Sequence, residues 1–141
     1  MGNYFFTTFA KSKYSTNMTK ELLTIFIGGG VGSVSRYAIA LTLNKFQWLL
    51  HGFPLHTFAV NVSGSFLIGL LMGYVSKNPA QWLYFLLVVG FCGGFTTFSS
   101  FALETVQLFK AQQVSVAFLY VVLSVLCCVA ATLAAMRITA C

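Results

Sequence analysis

Four long apolar stretches alternate with short polar ones along the chain, at about 22–43, 55–75, 82–109 and 114–138. At about 1.5 Å per residue, each is long enough as a helix to cross a hydrocarbon core about 30 Å thick. The pattern predicts an all-α integral membrane protein with four transmembrane helices, in which both termini of the chain lie on one side. Residues 1–20 form a polar N-terminal tail, and 21–141 make one four-helix membrane domain. Met18 is a candidate alternative start, with 1–17 then an extension of no assigned role. The apolar run from Leu22 continues for a whole span, unlike the shorter core of a secretory signal. Phe6 stands where N-myristoylation needs Ser or Thr.

The third stretch breaks the pattern. As one straight helix, 82–109 would measure about 42 Å, well beyond the membrane core. Its middle, 90–104 (GFCGGFTTFSSFALE), gathers three glycines and the hydroxyls of Thr96, Thr97, Ser99 and Ser100. Gly93 falls about 17 Å past Trp82, near the midplane. Irregular backbone at that depth persists only where protein buries it or where it lines a watery cavity. Broken membrane helices use freed carbonyls to bind cations. A break near 93–97 is therefore expected; a glycine kink that only improves packing is the simpler alternative. In the first stretch, Gly28 and Gly32 form a GxxxG pair suited to close helix contact.

Composition narrows the class. The sequence is 58% hydrophobic and 7% charged, against about 25% charged in soluble domains. The net charge of +6 comes from basic residues scattered singly, which suits loop anchors and not nucleic-acid binding. Lys20, Lys77 and Arg137 face one side of the membrane, and Arg36, Lys45 and Lys110 the other. Only the tail lysines Lys11 and Lys13 tip that balance. Positive-inside bias normally fixes orientation, so a balanced chain is expected to insert both ways and to form an antiparallel homodimer. Cys92, Cys127, Cys128 and Cys141 carry no CxxC motif, and His51 and His56 give only a weak metal signal.

Several polar or aromatic residues at membrane depth are candidates for chemistry. Asn61 offers amide donors to an anion stripped of water, or an interhelical hydrogen bond. Phe98 and Phe101, three apart, share one helix face, and the edges of aromatic rings carry partial positive charge. Tyr120, Ser124, Cys128 and Thr132 recur every four residues and line one face of the last helix, as a hydrated track or a packing seam. Arg36 must snorkel or face a vestibule. Glu104 either pairs with Arg36, lines a vestibule or reaches the surface, and receives no role. No nucleophile–base pair, phosphate loop or carboxylate pair points to an enzyme.

Three motifs, taken together, resemble a known family. They are GGVGSVSRY at 29–37, VNVSGSFLIG at 60–69 and GFCGGFTTFSSF at 90–101, and the chain is similar over about 20–137 to the small fluoride channels called Fluc or CrcB proteins. The resemblance implies a dual-topology antiparallel homodimer in the bacterial inner membrane, with two fluoride pathways and passive export. It also implies a structural Na+ ion, not transported, on the carbonyls of Gly93 and Thr96 from both subunits. Phe98 and Phe101 would be the pathway phenylalanines, Asn61 the pore asparagine and Arg36 the vestibule arginine. Tyr120, Ser124 and Thr132 would form the polar track. The implied partners are a second copy, fluoride and membrane lipid. His56 departs from the family, which usually has glycine there, and Cys128 stands where a hydroxyl or small residue is usual.

The competing reading is a proton-coupled exporter of the small multidrug-resistance kind, also four-span and dual-topology. Such an exporter needs a carboxylate deep in its first helix. This chain has only Glu21 at the edge and Arg36 further in.

Overall fold

The computed structural model describes residues 18–45, 52–77 and 80–140. The tail at 1–17, His51 and Cys141 lie outside them. Every regular element among the described residues is helical. α1 spans Met18–Leu43 and α2 spans Leu55–Lys77. α3 covers 81–95, beginning with Gln81–Leu83, continuing as a π-helix over Tyr84–Cys92 and closing with Gly93–Phe95. α4 spans Phe98–Lys110 and α5 spans Val114–Ala140. By length and composition four helical segments can cross a membrane, with α3 and α4 counted together as Gln81–Lys110. This is a multi-pass membrane protein.

The helices pack as two main pairs, α1 against α3 and α2 against α5, while α4 leans on α5. The first pair is close because of glycine. A Cβ on Gly28 would strike the Leu86 carbonyl, and one on Gly32 the Phe91 carbonyl. The GxxxG pair therefore sits against bare backbone, as small residues permit between membrane helices. π-helical geometry bonds residues five apart and is rare beyond a single turn. Here it runs through the nine residues of α3 that face α1.

The buried core is small and divided. Tyr84, Val88, Cys92 and Phe95 fill the α3 side. Leu108, Ala117 and Tyr120 form a second cluster, with Phe53, Phe58 and Phe101 packed around it. Most of the remaining apolar side chains face outward, including Phe26, Val34, Phe98, Leu126 and Leu133. In water such a surface would drive association; in a bilayer it meets lipid.

Candidate functional site

The path from α3 into α4 passes through two extended residues, Thr96 (φ −79°, ψ 157°) and Thr97 (φ −150°, ψ 120°). Gly93 and Gly94, which drew attention in the sequence, stay helical. Asn61 on α2 holds the extended pair from across the bundle. Its Nδ2 donates to the Thr97 carbonyl at 3.0 Å, and its Oδ1 accepts the Thr97 N–H at 2.9 Å. One amide thus satisfies both backbone groups of a residue that lies between two helices in extended conformation. The interhelical bond anticipated for Asn61 is made, and it uses one of the two amide donors.

This clamp has a consequence upstream. The Thr96 N–H still bonds the Cys92 carbonyl at 3.0 Å. The next rung of the ladder would join Thr97 N–H to the Gly93 carbonyl, but Asn61 takes that donor. The Gly93 carbonyl therefore loses its α-helical partner. Gly93 is exposed, and a Cβ built on it would meet nothing within 4 Å. The Gly94 carbonyl is engaged differently, accepting Arg36 Nε at 3.3 Å and Ser33 Oγ at 3.4 Å.

The hydroxyls from Thr97 onward divide their duties. Thr97 caps α4, its Oγ1 accepting the Ser100 N–H at 3.2 Å, as an N-cap threonine commonly does. It also contacts Ser99 Oγ at 3.2 Å and Ser100 Oγ at 3.1 Å. A cavity of about 220 Å³ opens beside this cap, lined by Arg36, Ser33, His56, Thr57, Thr97 and Ser100 among others. Most of its polar lining can donate hydrogen bonds.

Glu104 is the hub of the wall beyond. Its Oε1 accepts Thr57 Oγ1 at 2.7 Å and lies 3.1 Å from His56 Nε2. Its Oε2 accepts the Tyr120 hydroxyl at 2.7 Å. The partner weighed for Glu104 from the sequence was Arg36; the geometry gives it His56, Thr57 and Tyr120, while Arg36 turns to Gly94. Thr57 is a residue that the sequence reading missed. Its position four before Asn61 was the available signal, since that spacing puts both on one face of α2.

The aromatic residues and the last helix complete the region. Phe98 and Phe101 have ring centroids 5.6 Å apart, and Phe101 continues to Tyr120 at 5.1 Å. Phe98 is 79% exposed. On α5, Tyr120 and Ser124 are buried, and the Ser124 hydroxyl has no hydrogen-bond partner among the described residues. Thr132 Oγ1 lies 3.0 Å from both the Ser65 and the Cys128 carbonyls, beside a shallow hollow of about 330 Å³ lined with Ser65 and Cys128. The four-residue spacing on α5 thus resolves into two buried polar residues and a threonine turned to carbonyls.

Four membrane-crossing segments and a donor-lined cavity place the chain among multi-pass membrane proteins with a polar interior, the architecture of channels and transporters. Comparison with known proteins narrows this. Residues 23–136 match the model for "CrcB-like protein, Camphor Resistance (CrcB)", and the chain belongs to that family. Curated relatives carry the name fluoride-specific ion channel FluC. One from Flavobacterium psychrophilum is 46% identical over 108 residues, 75% of this chain and 86% of the relative. One from Bacteroides fragilis is 44% identical over 117 residues, 82% of this chain and 92% of its own length. A third, from Elusimicrobium minutum, is 48% identical over 111 residues, 79% and 86% respectively. The relatives are named as ion channels and not as enzymes, in agreement with the lack of catalytic apparatus expected from the sequence.

Proposed function

We propose that this chain is a fluoride-specific channel that lets fluoride leave the cytoplasm passively, acting as an antiparallel, dual-topology homodimer in a bacterial inner membrane. The observation that carries this reading is near-half identity, over most of both chains, to relatives named for fluoride conduction. The site supports it chemically. A small anion entering a membrane must exchange its water for other donors, and those donors must release it again. The cavity beside Arg36 offers hydroxyls and one guanidinium. Beyond it, Asn61 keeps one N–H outside its bond to Thr97. The ring edges of Phe98 and Phe101 and the hydroxyl of Ser124 would carry the ion onward, with those of Tyr120 and Thr132 where they turn from Glu104 and the backbone carbonyls. Arg36 apart, none of these is a fixed cation that would trap it.

The third span is broken on this reading, with Thr96 and Thr97 as the break and α4 as a separate half-helix. The N-terminal end of such a half-helix carries partial positive charge toward the midplane. Phe98 belongs to a pathway completed by the second subunit, which accounts for so exposed an aromatic beside a polar break. Cation binding fits the same place, because the Gly93 carbonyl is released from the helical ladder and Thr96 is extended. Gly93 and Thr96 of two copies would hold Na+, a hard ion that takes oxygen ligands. When bound, it would supply positive charge that draws the two breaks together.

Fluoride release from liposomes carrying the purified protein, followed with a fluoride-selective electrode, tests this proposal. Rapid fluoride release with no matching chloride release is expected. Folded, sodium-loaded protein that releases no fluoride overturns it.

A further inference from the structure

Glu104 is one of only two acidic residues in the chain, and it lies directly behind His56 and Thr57, which line a cavity that is anion-permeable on the reading above. Its charge would repel the ion unless something compensates it. The groups around it can be taken element by element. From α5, Tyr120 donates a neutral hydroxyl, and from α2, Thr57 donates another. From α1, Arg36 and Tyr37 line the cavity, but Arg36 Nε is bonded to the Gly94 carbonyl. The other acid, Glu21, lies elsewhere, bonded to Gln81. Within ion-pair distance of Glu104, His56 alone among the described residues can bring a positive charge, with Nε2 at 3.1 Å.

His56 carries a second signature. Its Nδ1 is buried and has no hydrogen-bond partner among the described residues, although the side chain lines the cavity. Buried polar atoms left unpaired call for an explanation. In the neutral ring with Nε2 protonated, Nδ1 is a bare acceptor. In the imidazolium it becomes a donor, which an anion drawn from the adjoining cavity against the ring would satisfy.

We propose that His56 makes anion passage through this chain proton-linked, as a positioning residue that compensates Glu104 and adds an N–H to the cavity when it is protonated. The inference rests on the fluoride-channel reading. With His56 protonated, the His56–Glu104 pair is neutral overall and the incoming anion meets donors alone. With His56 neutral, the Glu104 charge stands uncompensated and the extra donor is gone. Both changes act in one direction, so fluoride flux falls as pH rises.

Fluoride efflux from proteoliposomes is measured at several values between about pH 5.5 and 8, the range in which histidine changes charge. Protein-free vesicles correct for passage of the neutral acid. The unaltered chain and His51→Gln are expected to lose about three- to tenfold in flux across that range. His56→Gln and His56→Gly are expected to give flat profiles. A flat profile in the unaltered chain, or an unchanged slope in both His56 variants, overturns the inference while leaving the channel intact. No fluoride release at any pH removes the channel reading itself. A measurement that needs no His56 variant follows from the reciprocity of linked binding. In the His51→Gln chain, added fluoride must move the imidazole nitrogen NMR shifts of His56 toward the protonated form. Shifts unaffected by fluoride contradict the proposal.

Discussion

The two halves of the third span, α3 and α4, are continuous in sequence and opposite in character. α3 is held by its own chain: Tyr84, Val88, Gly90, Cys92 and Phe95 are buried, and backbone meets backbone along α1. α4 buries only Leu108 and presents Phe98, Leu103 and Val106 outward. Yet α4 holds nearly all of the chemistry, from the Thr97 cap to Glu104. The contrast sets a half packed within its own chain against an outward half that offers ionisable, hydroxyl and aromatic groups to whatever lies beside it. On the proposed function, what lies beside it is a second subunit and a moving ion.

The firmest way to break that contrast is to detach the anchored half. Gly32→Leu would drive a side chain into the Phe91 carbonyl and the Phe95 N–H. Overpacking of this kind costs about 3 kcal/mol or more against backbone that cannot yield. Failure to elute as folded protein is expected, and normal elution with unchanged thermal stability would contradict the packing described. Asn61→Ala comes next. It strands both backbone groups of Thr97, at a cost of about 2–3 kcal/mol, which a thermal melt in detergent would register.

The last two stability tests separate packing from pathway. Tyr120→Phe keeps the ring contacts with Phe53 and Phe101 but removes a donor from Glu104. A loss of about 1.5–3 kcal/mol is expected for a hydrogen bond to a charged group. Ser124→Ala removes a hydroxyl that bonds nothing among the described residues. Its effect on stability should stay within about 0.5 kcal/mol, while fluoride flux falls. Unchanged flux would take Ser124 off the pathway.

Much of this arrangement was legible in the chain. The run lengths set the four spans to within a few residues, and spacing by four placed Tyr120 and Ser124 on one buried face. Gly28 and Gly32 announced the close approach of α1. The π-helical stretch left no periodic signal, because the sequence around Tyr84–Cys92 is apolar on every side. The sequence drew attention to 93–97 through the glycines at 93 and 94 and the paired threonines after them. The glycines remain helical, and the extended backbone falls at Thr96 and Thr97, secured by an amide 36 residues away. Glu104 likewise finds Thr57 across 47 residues. Contacts of that span leave no local pattern, so its partners emerged only from the fold.

The most direct test of the contrast between the two halves is fluoride flux through Phe98→Ile beside the unaltered protein, with a thermal melt of each. Phe98 is so exposed that its ring contributes little to the fold of one chain, and the melt should shift by less than about 0.5 kcal/mol equivalent. Flux should fall at least about tenfold, because an aliphatic side chain has no electropositive ring edge to offer an anion. Fluoride release equal to that of the unaltered protein would contradict the account, returning the outward half of the third span to the role of lipid-facing filler.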